Sequence, residues 1–447
     1  MSENYTRLLP ALKERLPASE LADHGRTTGF IQRLRTIGAS DFVWAVVMSR
    51  FATGIPGFDQ ARRIYAQLSG RDIWQRPFQK RFLSEAAVKL FAAAFEGAVA
   101  PWRKRRRIDH PLAKHFSDIV AIDSTVVQLN DRLRRKFPGH MLAAAELKAT
   151  LAISVFGLVP LMARITARKI HDTKLFPDLS LFRRGALLLF DAAYVAYDRL
   201  GEIARAGRYF VAPMRIDGAP RVLKVHSGPE KIRAKVAAAS RPARKNAAAG
   251  VPLRDLLNRG ARVATTWDLD VLVFPGNAKT PRRKENAVRL RLVIRPGRGR
   301  SYFYLTNLTT AWKPEAIAEL YRLRWQIELV FKELKQHLSL ESIPTKNPHA
   351  VHVFVWASLL ALTVSRTVSA VVTPLGKLNG LAPKQAVALA SKAIRTSLSL
   401  FVWLLSNAAA VPDALILQML EVVSRMSERR SQPRPDSFCR LIPLLPA

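Results

Sequence analysis

Two acidic side chains stand where the sequence predicts buried β-strands. Asp123 lies in a β-branched run that begins at Ile119, and Asp191 directly follows the apolar run Leu187–Phe190. A carboxylate in such a place is costly unless a cation compensates it. The cation is either an Arg or Lys side chain, as in a structural salt bridge, or a divalent metal such as Mg²⁺. Mg²⁺ binds few carboxylates and keeps positions open for phosphate oxygens and water. For either acid alone, both alternatives stay open.

A third acid, Glu328, lies in a segment with the apolar periodicity of a helix, residues 316–340. At about 100° per residue, four polar side chains share an arc of about 60° beside the apolar stripe. They are Tyr321, Arg324, Glu328 and Lys335. One edge of the helix would therefore present one acid, two cations and a phenol. The charged flank of an ordinary amphipathic helix has a similar pattern, so the spacing alone does not decide between a site and a solvated face.

The charge balance of the chain points to a polyanionic partner. The 447 residues include 71 Lys and Arg against 34 Asp and Glu, which gives a formal net charge of +37. Charges of one sign repel one another in a compact state, and a polyanion such as nucleic acid neutralises them. The single cysteine, Cys439, excludes an internal disulfide framework and a cysteine-based zinc site.

No segment of the sequence indicates export or membrane insertion. The first residues are polar and lack the apolar core of a secretion signal. The longest apolar runs, near residues 351–364 and 398–405, are shorter than the roughly 18 residues typical of a spanning helix. We therefore expect a cytoplasmic protein without a membrane partner.

The elements that would position these residues fall into three regions. Residues 1–115 have helical periodicity, and residues 58–82 fit either a DNA-reading helix-turn-helix or part of a plain helical bundle. From residue 118, strands are predicted over 118–129, 149–159 and 185–190, with helices or loops between them, which is typical of α/β proteins. Residues 208–310 read as a β-rich insertion, and the chain is predicted to be helical from residue 312 to about 428.

Three blocks of the sequence resemble a known family. The segment YRLRWQIELVFKELKQHLSLE contains Glu328, IVAIDST contains Asp123, and LLLFDAAYVAYDRL contains Asp191. Together they resemble the DDE transposases of bacterial insertion sequences, and more narrowly the group with a Tyr-Arg-Glu-Lys motif. The resemblance covers about residues 115–345, and the long interval before Glu328 accommodates the β-rich insertion, as in that group.

The resemblance implies an α/β fold with a ribonuclease-H-like catalytic core. Residues 1–115 would form a helical DNA-binding region and 116–345 the core, with the β-rich insertion at about 217–310. Residues 346–447 would form a helical C-terminal region, a candidate for dimerisation. The protein would act on double-stranded DNA with terminal inverted repeats and on target DNA, as a homodimer when two ends are brought together.

The resemblance also assigns roles to individual residues. Asp123, Asp191 and Glu328 would be the catalytic residues and would hold two Mg²⁺ ions, for which Mn²⁺ can substitute. Such a pair, about 4 Å apart, activates water or a 3′-hydroxyl and stabilises the leaving oxygen in phosphoryl transfer.

Four further residues would contact DNA. Tyr321, Arg324 and Lys335 would bind the phosphates beside the scissile bond, a task that suits a guanidinium fork and an ammonium point charge. Trp267 is the candidate, by location alone, for stacking on a flipped base; a core strand aromatic is the alternative.

Two other functions are compatible with the sequence. One is a non-catalytic DNA-binding protein derived from a transposase, which would have no need to keep all six motif residues. The other is a related metal-dependent nuclease without strand transfer. Hydrolysis and transfer use the same metal site and differ in the nucleophile, so the sequence does not separate this alternative from a transposase.

Overall fold

Helices precede the first strand of the sheet. The structure is a computed structural model that describes residues 8–32, 37–54, 57–105, 110–140, 144–214, 220–239, 250–257, 262–274, 287–378, 390–392, 394–407 and 440–446. The first six helices are α1 (Leu8–Arg15), α2 (Ala18–Thr27), α3 (Ala39–Ser49), α4 (Phe58–Ser69), α5 (Gln75–Phe82) and α6 (Glu85–Lys104). The predicted helical character of this region is confirmed for the described residues.

Local sequence signals define the longest of these helices, α6. The Ser84 side chain caps it by accepting a hydrogen bond of 3.2 Å from the Ala87 amide. Leu90, Phe91 and Phe95 are fully buried along one face. That face packs against the C-terminal helices, so the N-terminal region shares its core with the rest of the chain.

A ten-stranded sheet forms the centre of the molecule. In chain order its strands are β1 (Ile119–Leu129), β2 (Ala145–Ser154), β3 (Val159–Ala167), β4 (Leu187–Phe190), β5 (Tyr209–Pro213), β6 (Arg221–Ser227), β7 (Val251–Pro252), β8 (Trp267–Val273), β9 (Val288–Pro296) and β10 (Ser301–Thr306). The spatial order is β3-β2-β1-β4-β5-β10-β9-β8-β6-β7. In the first half, β1 pairs antiparallel with β2 and parallel with β4, and β4 pairs parallel with β5. This is the ribonuclease-H-like arrangement that the family resemblance implies.

The β-rich insertion extends the core sheet. β10 pairs antiparallel with β5, and β9, β8, β6 and β7 follow outward from it. Of the strands predicted in residues 208–310, β5 and β10 therefore flank the junction with the core, and one helix, α8 (Glu230–Ala239), lies inside the insertion. Residues 240–249 of the insertion lie outside the described residues.

The single strand predicted over residues 149–159 is wrong. These residues form the end of β2, a turn and the start of β3, which are antiparallel neighbours. Leu158, in the turn, has a φ of 51°. The turn residues are apolar, so composition does not mark them as a loop.

The helix predicted over residues 316–340 is interrupted. It consists of α9 (Pro314–Arg322), a 3₁₀ turn (Leu323–Trp325) and α10 (Gln326–Gln336). A 3₁₀ turn advances about 120° per residue instead of about 100°. The angular positions of Tyr321 and Lys335 on a continuous helix are therefore shifted relative to each other.

Two C-terminal helices complete the described chain, α11 (Pro348–Leu378) and α12 (Leu398–Ser406). Much of the predicted helix beyond residue 406 lies outside the described residues. Within α11, Pro348–Val371 is long and apolar enough to cross a membrane by length and composition, so the short apolar run seen at 351–364 underestimates it. Within this segment, 94 % of the 18-residue apolar window is buried inside the protein. The packing of this segment in the core therefore accounts for its apolar character.

Both faces of the core sheet are covered. Ile119 and Ala121 of β1 point into a cluster that includes α10 and α11, whereas Val120 and Ile122 point into a second cluster that includes α7 (Tyr197–Arg205). A strand segment buried on both faces is apolar, as Ile119–Ile122 of β1 and Leu187–Phe190 of β4 are. Carboxylates that follow such strands are held by a rigid frame.

Candidate active site

Asp123 and Asp191 lie side by side on neighbouring parallel strands. In the pairing of β1 with β4, Ile122 is opposite Phe190. Each acid is the next residue along the chain: Asp123 within β1, and Asp191 directly after β4. Adjacent strands are about 4.8 Å apart. Each carboxylate is oriented by a backbone amide: Ser124 donates to Asp123 Oδ1 at 2.8 Å, and Ala192 donates to Asp191 Oδ1 at 2.7 Å. The sheet therefore positions two carboxylates at one edge.

Glu328 joins these acids through Arg324. α10 packs against β1, and the 3₁₀ turn that carries Arg324 packs against both β1 and β4. Arg324 Nη1 donates to Asp123 Oδ2 and lies 3.6 Å from Glu328 Oε1. The 3₁₀ turn thus places a guanidinium between the first and third acids, and all three motif acids are brought into one region.

The pKa of Asp123 reflects its burial and, to a smaller extent, the negative charge around it. Its pKa is raised to about 6, chiefly by burial, with the carboxylates of Glu328 and Asp191 adding to the increase. The guanidinium of Arg324 and the Ser124 amide oppose that increase. Burial alone would lower the pKa of Arg324, but the three surrounding acids and Tyr321 raise it. The site therefore has more negative charge than its one internal cation balances.

The donor set fits a hard divalent cation in its chemistry. The three acids supply only oxygen ligands, as Mg²⁺ and Mn²⁺ prefer. A bound divalent ion would favour the ionised form of Asp123, whose pKa is raised by burial and, to a smaller extent, by the nearby carboxylates. Within the part of the chain that the structure describes, no group of three or more His, Cys, Asp or Glu side chains is close enough to hold a metal ion. In this arrangement Arg324 is the compensating cation.

The other motif residues differ in their relation to the acids. Tyr321 lies beside Arg324, whose Cζ is 5.8 Å from its ring, and the pKa of Tyr321 is raised by burial. Lys335 instead pairs with Glu341, with 2.8 Å between Nζ and Oε1. The structure therefore brings Tyr321 and Arg324 to the acids, whereas Lys335 makes its ion pair with an acid outside the motif.

Trp267 is buried and does not form an exposed stacking platform. It lies on β8 with 6 % of its surface exposed, inside the core cluster on one face of the sheet. Its Nε1 is buried and has no hydrogen-bond partner among the described residues. This position agrees with the alternative of a core strand aromatic.

Sequence reasoning missed an exposed apolar pair next to the acids. Trp325 and Leu329, four residues apart, are 61 % and 44 % exposed. They flank Glu328 in sequence, and Trp325 directly follows Arg324. On the helical wheel that placed Glu328, both fall outside the apolar stripe. That signal would have identified them as surface residues beside the site.

The remaining acids near the motifs are structural or exposed. Asp131 and Asp198 are exposed. Glu333 is buried and forms a two-pronged ion pair with Arg366 at 2.9 and 2.6 Å. None of them competes with the three motif acids for the edge of the sheet.

The strand order β3-β2-β1-β4-β5, with β1 parallel to β4 and β4 parallel to β5, defines a ribonuclease-H-like fold. Residues 114–364, more than half of the chain, match the family described as "Transposase DDE domain". The chain therefore belongs to the DDE transposase domain family.

Two bacterial transposases are similar over most of the chain, and a third relative is similar over about half of it. The transposase of insertion sequence element IS231F from Bacillus thuringiensis is 21 % identical over 389 residues, which cover 81 % of this chain and 80 % of that protein. The transposase of IS1151 from Clostridium perfringens is 21 % identical over 394 residues, 82 % of this chain and 81 % of that protein. A transposase-type protein of Sinorhizobium fredii is 27 % identical over 209 residues, 46 % of this chain and 49 % of that relative. The chain thus spans about half the length of the Sinorhizobium protein.

Proposed function

We propose that the protein is a transposase that cuts DNA at the ends of its own insertion sequence and joins those ends to target DNA. The observation that carries this proposal is the placement of Asp123 and Asp191 at matching positions of β1 and β4, with Glu328 linked to them through Arg324. The net charge of +37 supports a DNA substrate.

In the proposed mechanism, Asp123, Asp191 and Glu328 hold divalent metal ions, which members of the family generally use. We propose two Mg²⁺ ions, with Mn²⁺ as a substitute; when bound, they supply an activated nucleophile and stabilise the leaving oxygen. The chain itself keeps the acids oriented through the Ser124 and Ala192 amides. Arg324, which lies beside Asp123 and Glu328, would bind a phosphate next to the scissile bond.

A DNA end and a target plasmid provide the direct test. Purified protein incubated with Mg²⁺, a linear DNA carrying one end of its insertion sequence, and a supercoiled plasmid should yield plasmid joined to that end. Cut ends without joined product would favour the nuclease alternative. DNA binding without either product would favour the non-catalytic alternative and contradict the proposal.

Arg324 and Lys335 differ in their expected contributions to phosphate binding. Arg324→Ala should weaken binding of the cleaved end and lower cleavage, by about 1–3 kcal/mol. Lys335→Ala should weaken binding of the cleaved end by an amount in the lower part of that range, because the Lys335 ammonium is already paired with Glu341. Lys332→Ala, at an exposed position of the same helix, is the matched control and should cost least. Binding and cleavage of a labelled end measure all three; a larger effect at Lys332 would contradict the assignment.

We propose that α5 presents the DNA-reading surface of the N-terminal region. Gly70, with a φ of 66°, ends α4, and a short connection leads to α5. Phe78 of α5 is buried, whereas Arg76 and Lys80, on the opposite side, are exposed. α5 contains no acidic residue, and Trp74 before it is 86 % exposed. An outward-facing basic helix after a turn fits the major groove of duplex DNA.

Salt dependence tests this surface. Affinity of the unmodified protein for an end should fall by orders of magnitude between about 50 and 200 mM salt. The double variant Arg76→Ala, Lys80→Ala should bind more weakly and lower the slope of log affinity against log salt by about two. Lys89→Ala is the control, because Lys89 on α6 is paired with Glu85 at 3.0 Å. A flat profile would contradict the use of the net charge, and an unchanged slope in the double variant would remove α5 from the interface.

We further propose a homodimer on DNA. Two ends must be held together for transposition, and each requires one set of catalytic acids. Residues 346–447 are the candidate dimerisation region. α12 in that region is apolar and leaves Trp403 42 % exposed, which supports this assignment. We also propose that the protein lies in the cytoplasm at the nucleoid.

A further inference from the structure

A buried polar network lies directly behind Asp123. Lys148 of β2, whose side chain is 5 % exposed, donates from Nζ to Asp172 Oδ1 at 2.9 Å and to the Ile170 carbonyl at 2.9 Å. Ser124 Oγ donates to the same Asp172 oxygen at 3.0 Å. Asp172 thus receives both an ammonium and a hydroxyl, and Ser124 is the residue after Asp123.

The network is connected to both catalytic strands. The Ser124 amide holds Asp123 Oδ1 while the Ser124 hydroxyl holds Asp172. The 3₁₀ turn opened by Asp172 packs against the 3₁₀ turn after Asp191, which contains Tyr194. Tyr194 is buried, and the charges of Asp172 and Asp123 both contribute to the rise in its pKa, after burial as the main cause. A displacement of Asp172 would therefore be transmitted to the backbone of both acids.

The chemistry of the pair is unusual for a purely structural contact. Taking an ammonium and a carboxylate out of water costs free energy that their attraction repays only in part, so apolar residues of similar volume often stabilise a fold equally well. In metal sites, by contrast, hydrogen-bonded partners of the ligand residues fix ligand orientation and affinity. The pair is linked to the residue next to Asp123 through the Ser124 hydroxyl, which favours the second role.

We propose that Lys148, Asp172 and the Ser124 hydroxyl are positioning residues that hold Asp123 in register with Asp191 and thereby set the affinity of the acids for divalent metal. This inference rests on the proposed function, since it assumes that these acids bind metal.

A charge-neutral double variant separates positioning from stability. Lys148→Met combined with Asp172→Leu removes both charges, so no unpaired charge stays buried. We expect its melting temperature without metal to lie near that of the unmodified protein. We expect Mn²⁺ binding to the protein without DNA, followed by electron paramagnetic resonance, to weaken by at least about tenfold. The Mg²⁺ concentration for half-maximal cleavage should rise by a similar factor.

A second pair of variants keeps the test decisive if the double variant does not fold. Ser124→Ala removes only the hydroxyl that links Asp172 to β1 and leaves the amide on Asp123. It should melt normally and still lose Mn²⁺ affinity. The matched control is the double variant Arg291→Met, Asp268→Leu, which removes another buried ion pair, at 2.8 Å between β9 and β8. It also removes both charges of its pair, and it should leave Mn²⁺ affinity unchanged.

The outcomes distinguish this inference from the proposed function. Normal Mn²⁺ affinity in folded Ser124→Ala and in the folded double variant would overturn the positioning role, provided that the unmodified protein binds Mn²⁺ and cuts DNA. If the unmodified protein does neither, the proposed function itself fails. Weakened Mn²⁺ binding in the Arg291, Asp268 control as well would overturn the inference, since any loss of a buried ion pair would then have the same effect.

Discussion

Asp191→Ala and Glu328→Ala are each expected to abolish metal-dependent DNA cleavage while leaving the fold and DNA binding intact. Each change removes a proposed metal ligand, which costs several kcal/mol of transition-state stabilisation, about a thousandfold or more in rate. Each change also removes a negative charge near the DNA phosphates, so binding of the end should survive or strengthen slightly. Cleavage of a labelled end with Mg²⁺ or Mn²⁺, and the melting temperature without metal, measure the two effects separately.

Asp123→Ala provides an internal comparison, because Asp123 is the acid that pairs with Arg324. Its loss leaves that guanidinium near Glu328, 3.6 Å away, so Arg324 is not left without a counter-charge. We therefore expect a small decrease in melting temperature and the same loss of cleavage. If Ala variants at all three positions were active, or if all three were unfolded, the metal-site assignment would be wrong.

The sequence predicted the positions of the first two acids because that information is local. A strand buried on both faces must be apolar throughout, so a carboxylate at the end of Leu187–Phe190 stands out from its neighbours alone. That Asp123 and Asp191 are adjacent depends on the parallel pairing of β1 with β4. Here the family resemblance supplied what periodicity could not.

The relation of the third block to the acids could not be predicted from periodicity. A 3₁₀ turn keeps apolar residues at spacings close to those of an α-helix, so Leu323 and Ile327 fit a continuous helix in sequence. In the structure the turn rotates Arg324 toward Asp123, and Lys335 reaches Glu341. The phase shift changes the angle of Tyr321 relative to Glu328 and Lys335, which keep their helical spacing on α10.

The path of the insertion was also beyond local sequence. Its strands were recognised one by one, but the pairing of Thr306 with Val211 joins residues far apart in the chain. Nothing in the alternation of either strand specifies that partner. Trp267 illustrates the consequence: its position on a strand was predicted, whereas its burial follows from where that strand lies in the sheet.

Arg366→Met is expected to destabilise the protein by about 3–5 kcal/mol, the largest stability effect that we predict. Arg366 and Glu333 are both buried, and Arg366 also donates to the Leu158 carbonyl at 2.8 Å. Removing the guanidinium leaves the Glu333 carboxylate without its cation in the core between α10 and α11. The free energy of unfolding in urea measures this loss.

A double variant and an exposed pair make that prediction specific. Glu333→Leu combined with Arg366→Met should recover much of the lost stability, because no charge is then buried alone. Lys335→Ala breaks a partly exposed ion pair on the same helix and should cost at most about 1 kcal/mol. If Arg366→Met were as mild as Lys335→Ala, the buried pair would not hold α10 in place. Because Glu328 is carried by α10, cleavage should fall in proportion to the unfolded fraction in Arg366→Met, whereas Glu328→Ala should lose cleavage while folded.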